Sequence, residues 1–229
     1  MHTFISRREL LRRAGLVGAA AMVPVDALRP AAAGDVLPAQ SAAARSPLEQ
    51  LSPTEGKTLD AVVSRLIPAD ATGIGALEAG ATRYIDRALG GALASSREAY
   101  RAGLAAIDRY AQASRGRTFA DLTPTEQDSV LVDVESGTAT GFPDGSTSFF
   151  SLMRAHTIQG TFCDPFYGGN LDFAGWDLIE YPGVRTIVTG DEQRLGADTP
   201  HTHKSAYDLE MFNKSRSRVD STGEPHHGD

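Results

Sequence analysis

The sequence predicts an all-α domain of about five to six helices, and three observations support this prediction. Apolar residues recur at intervals of three and four positions over several stretches, as they do along one face of an α-helix. Two stretches begin with the same helix-initiation pattern, a serine or threonine followed by Pro-Thr-Glu. No stretch alternates convincingly between apolar and polar residues, as the strands of a half-buried sheet do.

The first helix is predicted to begin at Ser52-Pro53-Thr54-Glu55. A serine cap, a proline in the first helical position and a glutamate three residues after the cap together form a capping box. The apolar face that follows consists of Leu59, Val62, Val63, Leu66 and Ile67. Pro68 predicts the end of this helix, because proline lacks a backbone donor and clashes with the preceding turn.

The second helix has one apolar face, and the glycine pair Gly90-Gly91 closes it. The face consists of Leu77, Ala81, Tyr84, Ile85, Ala88 and Leu89. A third helix is predicted from about Ser96 to about Gly116, since glycine commonly follows the last helical residue. Its apolar residues are Tyr100, Leu104, Ile107 and Ala111.

The fourth helix begins with the same residue pattern as the first. Leu122-Thr123-Pro124-Thr125-Glu126 mirrors Leu51-Ser52-Pro53-Thr54-Glu55, and we interpret this as one initiation signal used twice, not as a structural repeat. The apolar residues that follow on one face are Val130, Leu131 and Val134. A glycine-rich loop over 137–147 then precedes a fifth helix, predicted from about Ser148 to Phe162 and ended by Pro165.

Residues 1–33 resemble an export signal. Its core consists of Ser6, Arg7, Arg8, Leu10 and Leu11. An apolar stretch from Ala14 to Val25 follows, and Ala31-Ala32-Ala33 offers a cleavage site. A basic, an apolar and a small-residue region in this order form a signal peptide, and the paired arginines make it similar to a Tat signal. The Tat translocase, which moves folded proteins, is therefore an expected partner.

Two alternatives to a cleaved signal stay open. The cleavage sites are imperfect, so the leader could be retained as a membrane anchor, although its apolar stretch of 12 residues falls short of the roughly 20 that span a bilayer as a helix. The segment could also be an amphipathic helix with chance arginines. We expect a protein in the periplasm or on the outer face of the cytoplasmic membrane.

The rest of the chain divides into three segments. We expect a disordered linker over 34–50, a helical domain over 51–183 and an extended polar tail over 184–229. Only 11 of the 46 tail residues are hydrophobic, which is too few for the tail to fold alone. The tail could remain loose, or it could wrap along a partner with a small apolar anchor. The anchor would consist of Tyr207, Leu209, Met211 and Phe212.

Composition and charge exclude several classes of function. The chain has a hydrophobic share of 41%, which is ordinary for a globular protein. Its formal net charge is −7, and because residues 1–33 hold five arginines and two acidic residues, the remainder carries −10. An acidic chain is not a general nucleic-acid binder. One cysteine cannot form an internal disulfide or supply a thiolate-rich metal or haem site, so we expect no cofactor in this chain.

The segment 156–183 is the most distinctive part of the sequence. It holds the only tryptophan, the only cysteine, two of the six tyrosines and five glycines. The helix that leads into it is apolar on two sides, so it lies in the core or against a partner. Its candidate functional residues are His156, Gly160, Phe162, Cys163, Pro165, Tyr167, Gly168, Gly169, Asn170, Gly175, Trp176, Tyr181, Pro182 and Gly183.

These residues resemble the conserved block of the gluconate 2-dehydrogenase subunit 3 family. The matching elements are His156-Thr157, Gly160, Phe162, Pro165-Phe166-Tyr167-Gly168-Gly169-Asn170, Gly175-Trp176 and Tyr181-Pro182-Gly183. The twin-arginine leader, the Leu-Ser-Pro-Thr-Glu start and the turn at Leu66-Ile67-Pro68-Ala69-Asp70 also fit. The resemblance covers about residues 50–185 and the leader, and it includes neither the tail nor Cys163.

The resemblance implies a helical, non-catalytic small subunit, in which these motif residues are family-specific positions at a partner interface. Such subunits bind a catalytic flavoprotein of the glucose–methanol–choline type, which carries FAD, and a multihaem cytochrome c often forms a third subunit. Their leader is thought to export the leaderless catalytic subunit together with them. The substrate and the electron acceptor belong to the partners, and this sequence does not identify them.

The residues themselves favour a non-catalytic chain. No Gly-x-Ser-x-Gly motif and no dinucleotide-binding fingerprint occur. His156 has no histidine or carboxylate at ligand spacing on its helix, so we interpret it as structural. One alternative is a small enzyme that uses His156 with Asp164 or Asp172. Another is an envelope structural protein anchored by its leader.

The sequence allows two interpretations of several residues. Cys163 is a candidate for an intermolecular disulfide with the catalytic partner, or it is a buried free thiol. Gly168-Gly169 predicts a tight turn or a close backbone approach. The aromatic residues Tyr167, Trp176 and Tyr181 are core residues or interface anchors. The histidine pairs of the tail, His201 with His203 and His226 with His227, predict adventitious metal binding at most.

Overall fold

The computed structural model describes residues 47–71, 73–197 and 199–213. These residues form seven α-helices and no β-strand, which confirms the predicted all-α class. The predicted signal peptide, the linker up to residue 46 and the tail from residue 214 onward lie outside the described residues. No helix in the described part of the chain is long and apolar enough to cross a bilayer.

Five longer helices form the domain, and two short helices follow them. The longer helices are α1 (Pro53–Leu66), α2 (Ala81–Leu89), α3 (Arg97–Arg115), α4 (Pro124–Glu135) and α5 (Ser146–Phe162). The short helices are α6 (Ala174–Leu178) and α7 (Glu210–Asn213). Turns of 3₁₀ helix lie at Ala94–Ser96, Phe119–Asp121, Pro165–Tyr167, Leu171–Phe173 and Ala206–Asp208. The five helices predicted from apolar spacing correspond to α1–α5.

Both predicted capping boxes are present. At the start of α1, the Ser52 hydroxyl accepts a hydrogen bond from the Glu55 amide at 3.3 Å, and the Glu55 carboxylate accepts one from the Ser52 amide at 2.8 Å. Thr123 and Glu126 make the same pair at the start of α4, at 3.4 and 2.8 Å. Each box satisfies two of the amides that a helix start leaves without intrahelical partners.

Two helices begin a few residues away from the predicted positions. Leu77 precedes α2, because Gly80 turns the chain at φ +82° immediately before the helix. α5 begins at Ser146, two residues before its predicted start, after Gly145 at φ +84°. A positive φ is readily adopted by glycine and disfavoured for other residues, so these glycines set the boundaries.

The core lies between α1–α5, and α5 is its central helix. α5 contacts each of the other four long helices, most extensively α2 and α4. This arrangement accounts for most of the apolar residues on α5, whereas Ile158, on its second apolar side, remains exposed. The largest fully buried residues are Leu59, Val62, Val63, Ile85, Leu89, Tyr100, Leu104, Ile107, Phe119, Val130, Val134 and Met153.

A buried carboxylate on α2 holds the chain segment that enters the domain. Asp86 is almost completely inaccessible, and it accepts hydrogen bonds from the amides of Glu49, Gln50 and Leu51 at 2.7, 2.9 and 2.9 Å. Charge-assisted bonds of this kind offset the cost of burying a carboxylate. The final two residues of the predicted linker, Glu49 and Gln50, are therefore held against α2.

Candidate functional site

The distinctive segment begins where α5 ends, and one asparagine organises it. Asn170 is fully buried, and its amide group donates to the Cys163 carbonyl at 2.8 Å. Its side-chain oxygen accepts from the amides of Gly175 at 2.8 Å and Trp176 at 3.3 Å. One side chain thus joins the residue that caps α5 to the first turn of α6, where backbone groups lack intrahelical partners.

Trp176 completes this connection. Its indole N–H donates to the Phe162 carbonyl at 2.9 Å, so it satisfies a carbonyl at the last residue of α5. Its ring is buried and meets Tyr181 edge-on, with ring centroids 4.8 Å apart. Trp176 is therefore a core residue within this chain, whereas Tyr167 and Tyr181 both remain exposed.

Glycines in this segment permit close backbone approach. A side-chain Cβ at Gly160 would lie 2.9 Å from the Ala81 Cα, so the small residue lets α5 cross α2 at short distance. Gly169 and Gly175 pack directly against the carbonyls of Gly160 and Thr161, with no room for a side chain. Gly168 adopts φ +93°, which favours glycine. Gly168 therefore makes the predicted tight turn, and Gly169 makes the predicted close backbone approach.

An aromatic cluster stands on the surface after α5. Phe166 and Tyr167 follow Pro165 in a 3₁₀ turn and are 37% and 49% exposed. Phe166 stacks on Tyr207 from the tail with centroids 3.8 Å apart, and the Tyr167 and Tyr207 hydroxyls are 2.9 Å apart. Asp164 supports this contact by accepting bonds from the Ser205 hydroxyl at 2.6 Å and the Ala206 amide at 2.8 Å.

A largely apolar groove of about 730 Å³ opens beside this cluster. Its walls come from α2, from the last turns of α5 and from the 3₁₀ turn that follows. The residues that define it include Tyr84, Arg87, Ile158, Phe162, Cys163 and Phe166. Residues on the α5 side of this groove were predicted from the sequence and Arg87 was not, since no local signal shows that α2 and α5 lie side by side. We call this feature the α2–α5 groove.

His156 lies in the interior and not in the α2–α5 groove. Its Nδ1 atom is 3.1 Å from the Tyr100 hydroxyl, and the two rings stack with centroids 5.8 Å apart. Burial lowers the pKa of His156 and raises the pKa of Tyr100, so both side chains are neutral at pH 7. No hydrogen bond joins His156 to Asp164 or Asp172 among the described residues, so the proposed catalytic pair is not assembled here.

Cys163 is a half-buried free thiol on the wall of the α2–α5 groove. Its Sγ lies 3.7 Å from the Gly160 carbonyl, and burial raises the pKa of the thiol. A protonated thiol is a poor nucleophile for disulfide exchange. The intermolecular disulfide stays a prediction, and it would require the partner's cysteine to enter the groove.

The tail returns over the domain after Tyr181-Pro182-Gly183. The Pro182 carbonyl accepts bonds from the Thr202 amide at 2.9 Å and its hydroxyl at 3.0 Å, and the Val184 amide donates to the Lys204 carbonyl at 3.2 Å. Gly183 turns the chain at φ +94° beside Thr202. The described part of the tail therefore lies along its own domain.

This return brings two tail histidines to α6. His203 Nε2 and His201 Nδ1 lie 2.7 and 3.2 Å from the same oxygen of Asp177. Hydrogen bonds from the two histidines, of which the His203 bond has the larger effect, hold the pKa of Asp177 below its usual value. No local pattern in the sequence indicates this contact, because 24 and 26 residues separate Asp177 from the two histidines.

Comparison with protein families identifies the described domain. The family model for gluconate 2-dehydrogenase subunit 3 matches residues 53–183, which is more than half of the chain. The match begins at the first residue of α1 and ends at Gly183, the residue at which the tail turns back. Comparisons with curated proteins and with solved structures found no match.

Proposed function

The chain belongs to the gluconate 2-dehydrogenase subunit 3 family, and from this membership we propose that it is the exported, non-catalytic small subunit of an FAD-dependent dehydrogenase complex. The family consists of accessory subunits of a dehydrogenase complex. The proposed catalytic partner is a flavoprotein of the glucose–methanol–choline type. This chain binds and stabilises that partner and supplies its Tat export signal.

The α2–α5 groove is the observation that carries the proposal. It lies within the family-matched residues, and it exposes Ile158, Phe166 and Tyr167 beside a rigid, glycine-packed backbone. Aromatic residues in a concave apolar surface are typical anchors of protein–protein interfaces. Because the surrounding backbone is held by Asn170 and Trp176, little conformational entropy is lost when a partner binds there.

Export follows from the proposed leader. Arg7 and Arg8 direct the folded chain to the Tat translocase, and a leaderless catalytic subunit bound to it crosses the membrane at the same time. The complex then acts in the periplasm or at the outer face of the cytoplasmic membrane. FAD resides in the catalytic subunit, and haem c resides in a multihaem cytochrome subunit where one is present.

Co-purification tests the proposed partner. The full chain, tagged at its C-terminus, is recovered from its own periplasm, and flavin fluorescence and mass spectrometry are applied to the eluate. We expect a flavoprotein at one copy per chain. A flavin-free monomer contradicts the proposal, and substrate turnover by that monomer alone supports the enzyme hypothesis based on His156. Membrane retention without any flavoprotein supports the anchored structural protein.

A matched pair of variants tests the proposed surface. Ile158→Glu places a charge in the α2–α5 groove, whereas Val132→Glu places the same charge on α4, outside the groove and at a site that is 59% exposed. We expect at least a tenfold loss of recovered flavin for Ile158→Glu and no loss for Val132→Glu. Equal recovery from both variants contradicts an interface in the groove.

The export proposal has a separate test. Replacing both Arg7 and Arg8 with lysine keeps the charge of the leader and removes the twin-arginine pattern. We expect this chain and the flavoprotein to disappear from the periplasm together. Continued export of the flavoprotein without this chain contradicts the proposal that one leader serves both subunits.

A further inference from the structure

Three potential metal ligands converge where the tail crosses α6. The Asp177 carboxylate, His201 Nδ1 and His203 Nε2 all lie within 4.8 Å of one another. Asp177 belongs to the family-matched domain, whereas both histidines lie in the tail beyond it. Two imidazoles and one carboxylate form a ligand set suited to Zn²⁺ and related first-row transition metals.

The backbone directs both histidines to the same place. His201 and His203 flank Thr202, and a ring nitrogen of each lies beside the same Asp177 oxygen; His203 reaches it from a left-handed backbone at φ +45°. The Thr202 amide and hydroxyl are both bound to the Pro182 carbonyl, which fixes this register. The His203 ring also lies parallel to the Phe173 ring, with centroids 5.1 Å apart.

The distances suit coordination. Around a tetrahedral Zn²⁺ with bonds of about 2.0–2.2 Å, ligand atoms lie roughly 3.3–3.6 Å apart. The Asp177 oxygen is already 3.2 and 2.7 Å from the two imidazole nitrogens, which lie within 4.8 Å of each other, so side-chain adjustments would admit the ion. The three side chains are partly exposed, which gives the ion access and leaves a coordination position open to water.

We propose that Asp177, His201 and His203 form a divalent transition-metal site of the zinc type that fastens the tail to the domain. The ion replaces the hydrogen bonds between the imidazoles and the carboxylate, and each histidine binds it as a neutral imidazole through the nitrogen that now faces Asp177. Closing this contact also holds Ser205, Ala206 and Tyr207 against Asp164 and the aromatic cluster.

The only tryptophan of the chain provides the first readout. Trp176 precedes Asp177 and lies 5.3 Å, between ring centroids, from Phe173, which contacts His203. The full chain is purified through a tag without histidine and titrated with Zn²⁺ by calorimetry and tryptophan fluorescence. We expect saturable binding of one ion per chain, with a tetrahedral visible spectrum when Co²⁺ replaces Zn²⁺.

Variants of the ligands and of the other tail histidines locate the ion. Asp177→Asn and His203→Asn should each weaken Zn²⁺ binding at least tenfold. The control replaces His226 and His227 with asparagine and should bind as the wild type does. Unchanged binding by Asp177→Asn, or loss of binding in the control alone, overturns the site. Circular dichroism confirms that each variant is folded, and because Asp177 is exposed we expect no loss of helix.

Hydrogen exchange tests the fastening of the tail. Zn²⁺ should slow amide exchange over residues 199–207 in the wild type, and a chelator should reverse this change. The Asp177→Asn variant should show no such protection. An ion that binds the wild type without changing exchange over 199–207 contradicts the proposed clamp. This test does not involve the dehydrogenase partner, so it stands or falls independently of the proposed function.

Discussion

The helical bundle and the segment that follows it are stabilised in different ways. In the bundle, α1–α5 bury apolar side chains at helical spacing, and side-chain caps define two of the helix starts. In the segment over 163–183, backbone groups are bound by Asn170 and Trp176, and glycines pack against neighbouring carbonyls. The tail then adds polar contacts through Asp164 and Asp177.

This difference indicates that the bundle and the segment have different roles. Residues that stabilise the bundle are inaccessible, so they cannot contact a partner. The segment instead uses few buried side chains to fix its backbone, and it leaves Phe166, Tyr167 and Tyr181 exposed. An apolar surface that costs free energy in water is expected where another protein covers it. The bundle therefore acts as the scaffold and supplies the α2 and α5 walls of the groove, and the segment adds exposed aromatic residues beside it.

The largest effect is expected from a cavity in the bundle. Leu59→Ala removes a fully buried side chain and should lower the free energy of unfolding by about 2–5 kcal/mol. Denaturant unfolding followed by far-ultraviolet circular dichroism measures this change. As the control, Val132→Ala on the surface of α4 should change the same quantity by less than about 0.5 kcal/mol. Equal effects of the two variants would contradict the assignment of the core.

Asn170→Ala should act on the segment more than on the bundle. It leaves the Cys163 carbonyl and the amides of Gly175 and Trp176 without their partners, at a cost of about 2–4 kcal/mol. We expect faster hydrogen exchange over 163–183 and altered Trp176 fluorescence, with helical content retained. Asn170 lies at φ +45°, where alanine is also strained. As the control, Asn170→Gly removes the same side chain without this strain, so it isolates the loss of the hydrogen bonds. A change confined to global unfolding would contradict a local role.

A smaller effect is expected at the helix starts. Thr123→Ala removes the side-chain acceptor of the α4 capping box and should cost about 1 kcal/mol. Thr123→Asp keeps an acceptor in the same position and should recover most of that loss. The midpoint of denaturant unfolding measures both variants. If both changes lower stability equally, the cap does not contribute through its hydrogen bond.

The smallest effect concerns pH. Because burial depresses the pKa of His156 in the folded state, the unfolded chain takes up a proton first as the pH falls below about 6.5. Stability should therefore be complete above that pH and decline below it, by no more than about 1.4 kcal/mol per pH unit for one proton. We expect His156→Gln to flatten this slope between pH 7 and 5.5. An unchanged slope would contradict the buried neutral histidine.

The sequence predicted the bundle well because its signals are local. The capping residues Ser52 and Thr123, and the apolar positions of α1–α5, act within one or two helical turns. The contacts it missed join residues far apart in the chain, such as Asp86 with the amides of residues 49–51 and Asp177 with the tail histidines. A hydrogen bond between distant residues leaves no periodic pattern, so neither contact could be predicted.

Only part of the candidate site could be predicted, again because contacts between distant residues leave no local pattern. The residue types over 156–183 identified this segment as a candidate site, and Gly168-Gly169 predicted its close backbone packing. Arg87 and Tyr84 complete the groove only because α2 lies beside α5. From the sequence, Trp176 could be a core residue or an interface anchor. Its hydrogen bond to the Phe162 carbonyl identifies it as a core residue, and composition does not show this bond.

Hydrogen exchange of the chain alone and in its purified complex tests the central claim most directly. If the α2–α5 groove receives the catalytic subunit, complex formation should slow exchange over residues 84–92 and 158–167, with α3 and α4 unchanged. Protection confined to α3 or α4, with both groove segments unaffected, would contradict the account and assign the partner to another face of the bundle.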